Sequence, residues 1–282
     1  MGMGSVYLML SLTQNPVRDH NTPMSPDGTP LISIIIPAYN EELRLPIALQ
    51  ATIDFFCRKG EAFEILVVDD GSKDGTPGVV EHFVDLHPEV NLKRLEYGRN
   101  RGKGYAVRFG MLAAVGKIRL FCDADLATPI EEYDVVLDRM KAQGAQVGVG
   151  SRPLKTSHLL VREPWYRELL GRLFNTVVQT FAVRGIQDTQ CGFKIFEADS
   201  AEAIFSECRI DGFAFDTEVL FLAQQLDYKI AEVPIRWAHK DGSKINMLRD
   251  GFSMLCELSR VRYLHRSVRG RARSQNAVPP KV

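Results

Sequence analysis

Short apolar runs recur along the first half of this chain, each followed by a stretch of helical periodicity, and no other feature limits its fold so tightly. Residues 32–36 are β-branched almost throughout and are stopped by Pro37, the pattern of a parallel strand buried on both faces. A helix follows over 41–56, with Pro46 in its first turns and Leu45, Ala48, Leu49, Ile53 and Phe56 on one side. The unit then repeats. Strands at 65–68, 92–95, 118–122 and 147–149 alternate with helices at 76–85, 104–114 and 130–140. Such alternation predicts an α/β fold with a mostly parallel central sheet flanked by helices on both faces. Ligands of such sheets sit beyond the carboxyl ends of the strands.

Two of those strand ends are acidic. The run 118–122 ends in Asp123-Ala124-Asp125, two carboxylates one residue apart. If the segment stays extended, alternation points both side chains the same way, where they can share one divalent cation. The other strand end is Asp69-Asp70-Gly71-Ser72, where a carboxylate can accept from a nucleobase N–H or a ribose hydroxyl. For either motif alone, ordinary turn chemistry is an equally good account. No phosphate-cradling Gly-x-x-x-x-Gly-Lys-Ser/Thr loop or dinucleotide Gly-x-Gly-x-x-Gly turn occurs in the required context.

Arg99-Asn100-Arg101-Gly102-Lys103-Gly104 is a basic loop before a helix, and its charges and the helix N-terminus can meet an anion or a base edge. Arg152 follows a strand in a comparable position and is a phosphate-contact candidate. Asp188-Thr189-Gln190-Cys191-Gly192-Phe193-Lys194 packs polar, small and aromatic residues together. Phe213-Ala214-Phe215-Asp216-Thr217-Glu218 sets carboxylates beside aromatics, which suits a sugar site, although Asp216 as a helix cap explains it too. No histidine is placed as a catalytic base; His158, His239 and His265 read as loop residues.

Beyond Gly150 the strand–helix rhythm changes. Amphipathic helices are expected over 163–183, with Trp165, Leu173 and Phe181 on a broad apolar face, and over 252–264; a further helix is expected at 217–225. Arg162, Arg167, Arg172 and Arg184 accompany the first, which fits either core packing or an anionic lipid interface. Lys plus Arg and Asp plus Glu number 35 each, which argues against a nucleic-acid-coating protein. Five cysteines without a CxxC pair give neither a disulfide framework nor a zinc site, and favour a reducing compartment. No segment reaches the ~18 apolar residues of a bilayer span, so a peripheral position on the cytoplasmic face of a membrane is expected.

The motifs together resemble the family 2 glycosyltransferases, and within them the dolichyl-phosphate glucosyltransferases and related polyprenyl-phosphate hexosyltransferases. The resemblance runs from Ser33-Ile-Ile-Ile-Pro37-Ala-Tyr39-Asn40-Glu41 through Val68-Asp69-Asp70-Gly71-Ser72 and Asn100-Arg101-Gly102-Lys103-Gly104. It continues through Asp123-Ala-Asp125, Gly150-Ser-Arg152, Asp188 to Lys194, Phe215-Asp216-Thr-Glu218, Glu232-Val-Pro-Ile235 and Ser243-Lys244. It implies a GT-A fold in a single catalytic domain over 31–264, between a flexible leader (1–30) and a basic flexible tail (265–282). Residues 31–150 would form the nucleotide-sugar half and 151–264 the acceptor and membrane-facing half. It also implies a UDP- or GDP-hexose donor, with UDP-glucose favoured, and inversion at the anomeric carbon. By the same resemblance Pro37, Tyr39, Asn40, Glu41, Asp69, Asp70 and Lys103 line the nucleotide-sugar pocket. Asp123 and Asp125 form the metal and diphosphate motif, with Mg²⁺ or Mn²⁺ as cofactor. Arg152, Asp188, Gln190 and Lys244 are assigned to the acceptor, a polyprenyl or dolichyl phosphate. Asp216 is the candidate base should the acceptor be a hydroxyl. The tail is expected to favour an anionic membrane surface. A soluble transferase acting on a glycan or small hydroxylated acceptor, and a non-catalytic nucleotide-sugar-binding module, are the alternative readings.

Overall fold

The computed structural model describes residues 29–152, 158–161, 183–238 and 260–266. The helix expected over 163–183, most of that over 252–264, Lys244, the leader to residue 28 and the tail from 267 lie outside the described residues. Among the described residues no helix is long and apolar enough to cross a membrane.

Strands β1 (Ile32–Ala38), β2 (Phe63–Asp69), β3 (Asn91–Glu96), β4 (Ile118–Cys122) and β5 (Val147–Ser151) occupy the predicted runs. Helices α1 (Leu45–Lys59), α2 (Thr76–Leu86), α3 (Lys103–Ala113) and α4 (Glu132–Ala142) lie between them. Pro37 does not end β1, because the missing N–H falls where nothing needs it. The Ala38 carbonyl accepts from Asp70 N on the β2 side, so by alternation Pro37 faces the β4 side, and the β4 ladder has already ended at Ile35–Phe121. Helix α1 starts later than the periodicity suggested, with Pro46 near its first position, and ends at Gly60 in the left-handed conformation.

The chain then returns through β6 (His158–Val161), β7 (Phe193–Glu197), α5 (Ala198–Glu207), α6 (Phe215–Gln225), β8 (Ile230–Pro234) and β9 (Arg236–Ala238). The main sheet has the order β3-β2-β1-β4-β7-β5-β8, with β6 and β9 pairing separately. Strand β7 runs antiparallel to both neighbours, so the sheet is mixed rather than simply parallel. Ile32, Ile34 and Ile36 face a core with α1, α2 and α4; Ile35 and Val68 face a second core with α3, α5 and α6. Alternation along strands buried on both faces produces these two layers. Because β7 is reversed, its entry at residue 193 lies opposite Cys122, so the loop before it reaches the same sheet end as Asp69 and Asp123.

Candidate active site

The loops after β1 and β2 are stitched together by backbone–side-chain hydrogen bonds. Asn40 stands at φ 55°, where its N–H donates to Ser72 Oγ at 3.0 Å and its Oδ1 accepts from Lys73 N at 2.7 Å. Glu41 N donates to Thr76 Oγ1 at 2.7 Å, and the Glu41 carboxylate holds Arg44 through contacts of 2.6 Å. Pro37 and Tyr39 are half-buried along the same edge. Asp69 is buried and accepts from Ser72 N at 2.9 Å.

Asp70 also faces inward. Its oxygens accept from Tyr97 OH (2.8 Å), Arg101 N (2.7 Å) and Gly102 N (2.9 Å), so it shapes the basic loop. Burial, and then the hydrogen bond to Asp70, push the Tyr97 hydroxyl far above its ordinary pKa. Two glycines permit this closeness. At Gly71 (φ 72°) a side chain would meet Asn100 N at 2.6 Å, and at Gly102 (φ 103°) it would meet Asp211 O at 2.5 Å. The same Asp211 carbonyl accepts from Gly104 N at 2.8 Å and Tyr105 N at 3.3 Å. These two donors of the α3 N-terminus are therefore satisfied within the protein rather than open to an anion.

Asp123 and Asp125 do not lie on an extended strand. β4 ends at Cys122, and Asp123 to Leu126 form a turn closed by Leu126 N donating to Asp123 O at 3.2 Å. Leu126 takes φ 45°, a conformation that costs a branched residue on the order of 1–3 kcal/mol. Turn geometry, rather than strand alternation, therefore places the two carboxylates. Asp123 Oδ1 pairs with Lys103 Nζ at 2.6 Å. Asp125 Oδ1 accepts from Ala127 N at 2.9 Å, and burial followed by the charge of Asp123 raises its carboxyl above the ordinary range. Burial opposes the charge on Lys103, but Asp123 and Asp216 outweigh it and hold its pKa high.

The loop before β7 supports this turn. Gly192 O accepts Asp123 N at 3.1 Å, and a Cβ at Gly192 would lie 1.9 Å from Asp123 Oδ2, so any side chain there would displace that carboxylate. The buried Asp188 takes Arg152 in a bidentate grip, Nε at 2.7 Å and Nη2 at 2.8 Å, and the Arg152 backbone N–H at 3.0 Å. Burial works against the Asp188 charge, yet Arg152 holds its carboxyl below the usual range. The guanidinium lies 5.4 Å from the Trp237 ring centroid. Gln190 is half-buried in the same loop.

Asp216 is not a helix cap. Ala214 holds that position, and Asp216, buried in the first turn of α6, pairs with the ammonium of Lys194. Burial raises its carboxyl, while Lys194 and Lys103 pull it the other way. Glu218 accepts from Arg209 N (3.0 Å) and Ile210 N (2.9 Å) and contacts His265 Nε2 at 2.7 Å. His265 is therefore a buried packing residue rather than a loop residue. Sequence reasoning missed Lys194 as a member of the site, although a lysine between Phe193 and Ile195 in a strand-like run is a detectable anomaly.

The donor set suits a small hard cation. Asp123 and Asp125 offer oxygen ligands, while among the described residues no group of three or more His, Cys, Asp or Glu gathers into an all-protein cage.

Residues 33–205 match glycosyl transferase family 2. The chain is 40% identical over 241 residues to a dolichyl-phosphate beta-glucosyltransferase of Dictyostelium discoideum, covering 82% of this chain and 74% of the relative. It is 39% identical over 224 residues to one of Drosophila melanogaster, covering 76% and 69%. Among solved structures, mannosyl-3-phosphoglycerate synthase from Rubrobacter xylanophilus superimposes with a TM-score of 0.59 at 20% identity, over 90% of this chain and 78% of that one. That likeness extends to the fold, a GT-A-like arrangement of mixed sheet and flanking helices.

Proposed function

The chain belongs to glycosyl transferase family 2, and we propose that it transfers glucose from UDP-glucose to a polyprenyl or dolichyl monophosphate, with inversion at the anomeric carbon. One observation carries this reading: Asp123, Asp125, Lys103, Asp216 and Arg152 gather at one sheet end of a chain with these relatives. Asp123 and Asp125 would hold Mg²⁺ or Mn²⁺, which when bound supplies charge neutralisation for a departing diphosphate. Lys103 adds an ammonium beside the same carboxylate, where it would face the donor's phosphates. The loops carrying Pro37 to Glu41 and Asp69–Asp70 line the nucleoside end.

On the acceptor side an oxygen of the lipid phosphate attacks C1 of the sugar. The bond from C1 to the diphosphate oxygen breaks on the opposite face, and its electron pair leaves with the nucleotide. A phosphate monoester, with a second pKa of about 6, arrives largely dianionic near neutrality and needs little help from a base. This suits a site with no described histidine near the two aspartates, and it leaves Asp216 to accept the proton of the monoanionic fraction. Arg152, aimed by Asp188 and backed by Trp237, offers the acceptor phosphate a positive charge. Lys244 is assigned there as well.

The test is incubation with labelled UDP-glucose, GDP-mannose and other nucleotide hexoses, each with polyprenyl phosphate and Mg²⁺ or Mn²⁺, followed by organic extraction. Label from UDP-glucose is expected in the organic phase, to vanish with a chelator and to return with either cation. Label confined to water-soluble saccharides would defeat the lipid-phosphate reading.

A further inference from the structure

Lys194 sits within β7, 1% exposed, opposite Phe121 of β4 and Val149 of β5. An ammonium so placed loses its water and has to be held by partners on every side. It donates to Cys191 O at 2.7 Å and pairs with the Asp216 carboxylate. Both partners belong to the site. Cys191 immediately precedes Gly192, whose carbonyl holds Asp123 N, and Asp216 lies in the first turn of α6. A second lysine approaches the same ring: Lys103 Nζ and Lys194 Nζ lie 5.4 and 5.8 Å from the Phe121 centroid, and Phe215 packs edge-on to it at 5.8 Å. Two ammoniums thus share one buried aromatic ring, Lys103 paired with Asp123 and Lys194 with Asp216.

Stability alone does not account for the Lys194–Asp216 pair, because apolar residues of similar volume generally stabilise a core as well as a buried ion pair does. We propose that Lys194 is a positioning residue for sugar transfer, fixing the Asp216 carboxylate beside Lys103 and Asp123. The inference rests on the transferase reading above. Lys194 touches no reacting atom; it acts through Asp216. The Asp188 to Lys194 segment then acts as a bracket. Its first residue aims Arg152, its glycine seats Asp123 and its lysine sets Asp216.

A double-mutant cycle tests this, with glucose transfer to polyprenyl phosphate measured for wild type, Lys194→Met, Asp216→Asn and the double variant, and with Lys194→Arg alongside. Lys194→Met should lower kcat by about tenfold or more while leaving the donor KM within about twofold of wild type. In the Asp216→Asn background the same change should move kcat by less than about twofold, since the group it positions is gone. Lys194→Arg, which keeps the charge, should recover part of kcat. Lys194→Met strands a buried carboxylate and is the variant at risk of misfolding. The double variant is neutral at both positions, so its comparison with Asp216→Asn carries the decision. A double variant far below Asp216→Asn, or a folded Lys194→Arg protein as slow as Lys194→Met, would overturn the inference. An inactive wild type would instead count against the proposed function.

Discussion

Replacing Gly192 with alanine isolates the placement of Asp123. Gly192 does not use the left-handed region, so alanine meets no backbone strain there and the consequence is steric. The new methyl would lie 1.9 Å from Asp123 Oδ2 and 2.4 Å from its Cγ. Non-bonded heavy atoms are comfortable only at about 3.5 Å, so the carboxylate has to retreat by roughly 1.5 Å. The backbone resists yielding instead, because Phe193 pairs with Cys122 and Gly192 O holds Asp123 N at 3.1 Å. The retreating carboxylate abandons its 2.6 Å contact with Lys103. A misplacement of about 1 Å in a reacting constellation costs on the order of 10²-fold in rate. Gly192→Ala should therefore lower kcat by about that factor, while thermal unfolding shows a cooperatively folded protein. The assay is the initial rate of transfer from UDP-glucose to polyprenyl phosphate at saturating donor and metal. A folded variant with unchanged kcat would refute the claim that Gly192 seats the carboxylate.

Two further outcomes follow from the ion pairs. Asp188 has its pKa depressed by Arg152, so its stabilisation is complete above the unfolded value of about 3.9 and is lost as pH falls through the lower folded value. Asp188→Asn should cost about 2 kcal/mol near neutrality, measured by denaturant unfolding, and a gap to wild type that did not narrow below about pH 4 would contradict the pairing. His265→Ala removes the imidazole from the buried Glu218 and should cost about 1–3 kcal/mol, with faster hydrogen exchange over 260–266; unchanged exchange there would show that the contact anchors nothing.

The strand ends were legible because parallel strands buried on both faces advertise themselves as apolar runs, and their polar termini, Asp69 and Asp123, break those runs abruptly. The arrangement beyond them was not. Asp123 and Asp125 look like neighbours on a pleat, yet a turn with Leu126 at positive φ sets their positions. The α3 N-terminus looks open to an anion, yet Asp211, more than one hundred residues away in the chain, covers it with a carbonyl. Asp216 has the local signature of a cap, and only the tertiary fold reveals its partner in β7. In the last two cases the deciding contact lies far off in sequence, where periodicity and propensity carry no information; in the first it is a local turn that a leucine does not advertise. Lys194 shows the same limit from the other side, since the strand-like run around it does not say which carboxylate its charge meets.

The reversed strand β7 has a consequence for how the chain acquires its shape. β4 and β5 are next to each other in sequence but touch only through residues 193–197. A nascent chain that has delivered its first five strands therefore carries two raw sheet edges that cannot satisfy one another natively. Both must wait for a hydrogen-bonding wedge some forty residues downstream, as late-arriving non-local pairings generally do. Assembly of the Asp123–Leu126 turn is thereby tied to the insertion of β7, because the strand that joins β4 to β5 also delivers Gly192 to Asp123.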